Sequence, residues 1–305
     1  MPVRGDLSGE PRGEDRSDPG EHALILHIPD RCGHPFTTSP PCPGRIATVR
    51  RLILRRCVLA DTAAMSKATL RPRLLKLSGE ALAGEGAGNG NDTYHRATVD
   101  RLATELAAGA KSVPVAIVIG GGNIMRGNMV KGWIADPVRG DYMGMLATLI
   151  NALCLKDACE RAGARAEVVA PHAIPNVAHI YDRSRVVAWL AEGVIVIFGG
   201  GTGHPFFTTD TAAALRAAEI GAAELLKGTK VDGIYTADPK KDPTAKRIPA
   251  MTFDQALAGQ YGVMDLAAFA LCKNANVHIR VFDMNAPGAI AAALGPNPPG
   301  TLVGG

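Results

Sequence analysis

From residue 73 onward, short apolar runs alternate with longer stretches in which apolar side chains recur every three or four positions. The runs at 73–77, 113–119, 165–170, 194–198, 223–227 and 277–282 have the length of buried strands, whereas 93–110, 141–162, 182–192 and 210–220 carry the helical period. In 93–110, Val99, Leu102, Ala103 and Leu106 share one face. In 141–162, Met143, Met145, Leu146, Leu149, Ile150 and Leu153 occupy more than one face, so that helix is either deep in the core or buried against another subunit. Beyond 230 the pattern predicts a turn at Val231-Asp232-Gly233, a Pro-punctuated loop over 238–249, helices near 252–259 and 264–275, and a closing helix and strand after 282. Strands alternating with helices imply an α/β fold with a mainly parallel sheet covered on both faces.

This regularity is missing before residue 65. Residues 1–64 hold no lysine, eight of the 21 prolines and half of the six cysteines. The first 45 residues show no sustained period and have the composition of a disordered segment. RRLILRRCVL, at 50–59, could form a short amphipathic helix against a membrane or a partner. The acidic residues Asp6, Glu10, Glu14, Asp15, Asp18 and Glu21 argue against a transit peptide. The expectation is a folded domain over 65–305 and a dispensable extension over 1–64, removal of which leaves activity and solubility intact.

Composition adds mainly exclusions. With 47% hydrophobic and 20% charged residues, 305 residues suffice for one large or two small domains with a substantial core. No apolar run approaches the roughly 18 residues of a spanning helix, and nothing has the order of a secretory signal, so the expected location is the cytoplasm, without a membrane partner. Cys32, Cys42, Cys57, Cys154, Cys159 and Cys272 make no metal-ligand spacing, which predicts free thiols. A net charge of +4 without an aromatic-basic array does not indicate nucleic acid as the main partner.

The chemistry gathers where such sheets bind ligands, at the carboxyl ends of strands. Run 194–198 leads through Gly199-Gly200-Gly201-Thr202-Gly203-His204-Pro205-Phe206-Phe207-Thr208-Thr209-Asp210 into a helix, a glycine turn at a helix N-terminus whose free amides suit phosphate. The same residues could merely turn the chain, with Thr209 or Asp210 capping the helix. Lys76-Leu77-Ser78-Gly79-Glu80 places a lysine before a turn able to hold phosphate oxygens, or simply a solvated lysine. Gly120-Gly121-Gly122-Asn123, with Arg126 following, permits close backbone approach and a phosphate grip. Residues 226–239 (LKGTKVDGIYTADP) form the remaining strand end, alternatively a hairpin with a solvated charge run. Together these ends point to a phosphorylated ligand, and the absence of G-x-x-x-x-G-K-[ST] excludes a P-loop.

The segments KLSGEAL (76–82), IGGGNIMRG (119–127), RGDYMGMLAT (139–148), GTGHPFFTTD (201–210), KGTKVDGIYTADPKKDPTA (227–245) and MDLAAFAL (264–271) are in order and at compatible spacing. Over about 74–302 the chain closely resembles the bacterial uridylate kinases of the amino acid kinase superfamily. The resemblance implies an open three-layer αβα sandwich, ATP and UMP sites across the sheet's carboxyl edge, and a homohexamer. It places Lys76, Ser78, Gly79, Gly122 and Arg126 at the ATP phosphates and Thr229, Tyr235 and Asp238 at the adenosine. Gly121, Asp141, Thr202, Gly203, His204, Pro205, Phe206, Phe207, Thr208 and Thr209 match UMP contacts. Asp210 and Asp265 match acidic positions important to activity.

These residue types suit phosphoryl transfer, which is mostly positioning and charge stabilisation. Lys76 and Lys227 would neutralise phosphate oxygens, and Arg126 would hold phosphate. The acceptor is already an anion and needs no general base, so Asp210 is read as organising the lysines. Carboxylates would otherwise hold Mg²⁺, expected with ATP, through water, and no residue is assigned as a direct metal ligand. Asp265 divides evenly between a direct role and the cap of helix 265–275. Cys154 and Cys159 read as core or interface residues, His172 and His179 receive no role, and Trp133 and Trp189 read as packing anchors.

Two departures from the family pattern stand out. His204 occupies a position where the family carries asparagine, near the uracil, so UMP is expected to remain preferred over CMP but through a different hydrogen-bonding group. Residues 84–91 (GEGAGNGN) fall where many family members carry a loop linked to GTP activation but match it poorly; the resemblance, through that position, makes GTP and UTP candidate effectors. The other readings are a same-fold kinase for a carboxylate or carbamate acceptor and a nucleotide-sensing regulatory protein.

Overall fold

The computed structural model describes residues 70–83, 93–125, 134–239, 241–259 and 261–304. The expectations for 1–64, for 84–91, for Arg126 and for Trp133 lie outside the described residues. In chain order the strands are β1 (Arg73–Leu77), β2 (Val115–Ile119), β3 (Ala166–Ala170), β4 (His179–Ile180), β5 (Ile195–Phe198), β6 (Glu224–Thr229), β7 (Ile234–Tyr235), β8 (Arg247–Ile248), β9 (Ala250–Met251), β10 (His278–Asp283) and β11 (Thr301–Val303). The helices are α1 (Arg96–Gly109), α2 (Pro137–Arg161), α3 (Arg183–Ala191), α4 (Thr209–Glu219), α5 (Phe253–Gly259), α6 (Leu266–Ala275) and α7 (Ala289–Ala293).

Nine strands form one sheet in the order β4-β3-β5-β2-β1-β6-β10-β11-β9, and β7 and β8 make a separate antiparallel pair. Every pairing from β4 to β10 is parallel, and β11 reverses direction against β10. Parallel neighbours need crossover helices, which fall on both faces. Side chains alternate accordingly. Leu75, Leu77, Ile117, Ile119, Ile195 and Ile197 pack with Leu102, Leu106, Leu155 and Ile290 under α1, α2 and α7. Leu74, Val118, Val196, Phe198 and Leu225 pack with Val186, Ala213, Ala217 and Phe269 under α3, α4 and α6. Each fully buried leucine or phenylalanine contributes about 1.5–3 kcal/mol, and both cores hold the strand ends rigid. This is the expected αβα sandwich.

Local differences from the sequence expectation have physical causes. Helix α2 begins at Pro137 and not at 141, because the Asp136 carboxylate accepts from the Val138 amide at 3.0 Å and proline fits the first turn. Helix α4 is capped by Thr208, not by Thr209 or Asp210, its hydroxyl accepting from the amides of Asp210 and Thr211. The two-residue strands β4, β7, β8 and β9 are too short to carry a period. Helix α2 is not deep in the core. Leu149, Ala152, Leu155 and Ala158 are buried, yet Tyr142, Leu146, Ile150 and Leu153 are 46%, 57%, 51% and 39% exposed along its outer side. Among the described residues Cys154, Cys159 and Cys272 are free thiols, and burial pushes those of Cys159 and Cys272 up to about 12, as befits packing residues. No described helix is long and apolar enough to cross a membrane.

Candidate active site

Lys76 and Lys227 sit in the carboxyl-terminal halves of adjacent parallel strands and are direct register partners across β1 and β6. The pleat that sends Leu75 and Leu226 to one core sends both lysines to the other face, where each is only 8% exposed. Burying two ammonium groups side by side is costly unless a counter-charge lies between them. Asp210, in the first turn of α4, supplies it. Its Oδ2 accepts a hydrogen bond from Lys227 Nζ, and its Oδ1 lies 2.9 Å from Lys76 Nζ. Both carboxylate oxygens are thus engaged by ammonium groups, and Asp210 bridges the two lysines.

The electrostatics follow from this packing. Burial would raise the Asp210 carboxyl, but the charges of Lys76 and Lys227 overcome it and leave the group below its ordinary value. Burial, reinforced by the neighbouring Lys76 charge and only partly offset by Asp210, pushes Lys227 down to about 8. The cluster therefore carries one excess positive charge at a dry strand edge, which suits polyanion oxygens.

The first turn of α4 is itself braced. Asp265 caps α6 through Oδ1, which accepts from the Ala268 amide at 2.7 Å. Its Oδ2 accepts from the hydroxyls of Thr208 and, at 3.0 Å, Thr211. Asp265 is thus a cap that also anchors the N-terminus carrying Asp210.

The remaining strand ends line up along the same edge. Because β5, β2, β1 and β6 are consecutive neighbours, residues 199–208, 120–125, 78–82 and 230–233 emerge side by side, with the lysines on β1 and β6. Ser78 caps a 3-10 turn over Gly79–Leu82. Gly79 lies so close to the β2 loop that a Cβ there would come within 2.5 Å of Asn123 Oδ1 and 2.7 Å of both Gly120 O and Gly122 N. Gly121 is pressed against α2, where a Cβ would meet Ala147 Cβ at 2.9 Å. Lys230 reaches back to Glu80 at 3.3 Å, linking the β6 and β1 loops.

In the β5 loop, Gly200, Gly201 and Gly203 all adopt positive φ. Thr148 Oγ1 accepts from the Gly200 amide at 2.7 Å, and the ring of His172 donates to Gly203 O at 2.9 Å. Thr202 Oγ1 ties both the amide and the carbonyl of His204, leaving that imidazole exposed. Asp141 accepts from the Phe206 amide at 2.8 Å and so holds a non-glycine residue at φ 69°. Pro205 and Thr209 are half-buried, whereas Phe206 and Phe207 are exposed. Thr202, His204 and Phe207 border a cavity of about 530 Å³ reaching down to Tyr181 and Arg216. On the opposite flank Thr229 donates to the carbonyls of Val231 and Phe282, and Tyr235 donates to Asp232 at 2.5 Å, a bond that raises the phenol's pKa. Asp238 follows on the exposed loop after β7.

A family model for the amino acid kinase family matches residues 72–283, most of the chain. The chain belongs to the amino acid kinase family. Among solved structures, the UMP kinase from Bacillus anthracis is 34% identical, with a TM-score of 0.72 over 77% of this chain and 96% of that one. The UMP kinase from Ureaplasma parvum is also 34% identical, with a TM-score of 0.72 over 77% and 99%. An isopentenyl phosphate kinase, 21% identical with a TM-score of 0.59 over 76% and 99%, shares the fold.

The geometry of this amino acid kinase brings together Lys76, Lys227 and Asp210, with Ser78, Gly79, Gly121 and Gly122 on the adjoining loops. It sets Asp265 one layer behind them and Thr229, Tyr235 and Asp238 to one side. Sequence reasoning passed over Thr148, Asn151, His172 and Thr211, which hold the loops from beneath. Asn151 left one signal, a lone amide in the apolar stretch 146–155.

Proposed function

We propose that this amino acid kinase is a UMP kinase that transfers the γ-phosphoryl group of ATP to UMP, giving UDP and ADP. The observation that carries the reading is the buried Lys76–Asp210–Lys227 cluster between the β5 and β6 loops, in a chain 34% identical to two UMP kinases. An oxygen of the UMP phosphate attacks the γ-phosphorus while the bond to the ADP oxygen breaks. No proton need be removed from the acceptor, so the protein's task is to align two polyanions and neutralise them. Lys76 and Lys227 take the transferring oxygens, Asp210 keeps both ammonium groups directed there, and Ser78, Gly79 and Gly122 hold the ATP phosphates with Arg126. Thr229, Tyr235 and Asp238 receive the adenosine. Gly121, Asp141 and residues 202–209 receive UMP.

Mg²⁺ fits this site only as a companion of ATP. Among the described residues no group of three His, Cys, Asp or Glu side chains could cage a metal, and Asp210 already faces two ammonium groups. Mg²⁺ keeps several waters and relies on substrate phosphates, so when bound it would add charge neutralisation at the ATP phosphates, with Asp210 reachable through water. The exposed apolar side of α2 supports assembly into an oligomer, for which we propose a homohexamer. GTP activation and UTP inhibition belong to the same reading, as does a place in cytoplasmic pyrimidine nucleotide supply ahead of CTP. A GTP effect is refuted if GTP leaves both the rate and the UMP dependence unchanged.

A coupled ADP-release assay with UMP, CMP and glutamate as acceptors tests the activity. UMP should be turned over fastest and glutamate not at all. Preference for glutamate would instead support a carboxylate kinase of the same fold, and binding of both nucleotides without ADP release would support a nucleotide sensor.

A further inference from the structure

Asn151 lies in the middle of α2 and is 0% exposed, with Leu149, Ala152 and Leu155 buried around it. A buried amide is tolerated only when its hydrogen-bonding capacity is met. Here Nδ2 donates to Gly120 O at 2.7 Å and to Asn123 Oδ1 at 2.7 Å. Oδ1 accepts from the Tyr94 hydroxyl at 2.8 Å and from Asn123 Nδ2 at 3.2 Å. The Gly120 carbonyl fixes which way this amide faces, because a flipped side chain would set oxygen against oxygen. Asn123 completes a reciprocal amide pair and donates onward to Thr93 O at 2.9 Å. The groups so held, Gly120 and Asn123, are those against which Gly79 packs without room for a Cβ. Gly120 N also bonds Leu77 O at 2.9 Å. The amide of Asn151 is therefore the common support of the loop after β2 and, through it, of the turn after β1.

We infer that Asn151 is a positioning residue that sets the separation of the donor and acceptor phosphates, with Tyr94 completing its hydrogen bonds. The inference rests on the reading of Ser78, Gly79 and Gly122 as ATP contacts and Gly121 as a UMP contact. Asn151 touches neither substrate. It acts through the glycines between them, so its loss disturbs both subsites at once.

Asn151→Asp keeps the shape and removes both donors. At pH 8 its carboxylate faces Gly120 O and Asn123 Oδ1, and the expected result is a fall of about tenfold or more in kcat/KM for ATP and for UMP together. As the pH falls toward 6 a protonated carboxyl regains one donor for Gly120 O, so the ratio of variant to wild-type activity rises. Tyr94→Phe removes only the hydroxyl and should lower both values by about two- to threefold with little change in melting temperature. A merely structural role would lower the melting temperature and leave the KM values and the pH dependence of that ratio untouched. Lys76→Met serves as the control on the site itself. If that control retains wild-type activity, the site reading falls and the inference with it. If the control is inactive while folded Asn151→Asp, or Tyr94→Phe where the former does not fold, keeps wild-type kinetics for both substrates, the inference alone is overturned.

Discussion

Replacing Asp210 by asparagine leaves two buried lysines facing each other without a counter-charge. At the 2.9 Å separation from Lys76, one such ion pair is worth about 6 kcal/mol at an effective dielectric constant of 20. Stranding a buried charge costs about 3–5 kcal/mol in practice. The fold has an escape, because Lys227 is already pushed down to about 8 and shedding its proton at pH 7 costs only about 1.4 kcal/mol. Asp210→Asn should therefore fold, about 2–3 kcal/mol less stable than wild type at pH 7. The pH dependence has a definite sign. A lysine held below its ordinary pKa binds its proton less tightly when folded than when unfolded, so stability is lost as pH falls toward the folded value and is constant below it. Wild type reaches that plateau near 8, whereas the variant, with a lower folded value, continues to lose stability, and the gap widens between pH 8 and pH 6. Urea denaturation at pH 6, 7 and 9 reads the gap, and the ADP-release assay should show kcat reduced about 100-fold or more. A gap independent of pH, or near-wild-type kcat, would refute the charge-organising role.

The other predictions concern the same site. The kcat/KM of the wild-type enzyme should fall as pH rises through about 8, where Lys227 loses its proton; Lys227→Arg should remove that limb, and an unchanged profile would exclude Lys227 from phosphate binding. Asp265→Ala removes the α6 cap and the acceptor for Thr208 and Thr211, so urea denaturation should show a loss of about 1–3 kcal/mol and kcat should drop about tenfold. Stability loss with unchanged kcat would reduce Asp265 to a helix cap. UMP should be turned over faster than CMP despite His204, and equal turnover would show that the exposed imidazole does not select the base.

The alternation of strands and helices was readable because both core faces demand it: Leu75 and Leu77 on one side of β1 require Leu74 and Lys76 on the other. Glycines and lysines at strand ends announced a phosphate edge. The pairing of Lys76 with Lys227 was not readable, since it depends on β6 returning beside β1 after several crossovers. The stretch holding Asp210 also allows a helix-cap reading, and only the fold shows that Thr208 caps while Asp210 faces the lysines. For Asp265 the cap reading is borne out, Oδ1 capping α6 while Oδ2 accepts from Thr208 and Thr211. The start of α2 was missed because the apolar period begins at Met143, although Asp136-Pro137 is a helix-start signal in its own right. Asn151 and Thr148 escaped because an isolated polar residue in a helix shows its purpose only through the loop it supports.

In the proposed reaction the Lys76–Asp210–Lys227 cluster moves a phosphoryl group onto UMP. Incubating the enzyme with UMP, Mg²⁺ and ATP labelled in the γ-phosphate, and locating the label by separating the nucleotides, tests it most directly. The label should appear in the β-phosphate of UDP with the wild-type chain and be all but abolished by Lys76→Met and Asp210→Asn. Label released only as inorganic phosphate, or UDP formed undiminished by both variants, would contradict it.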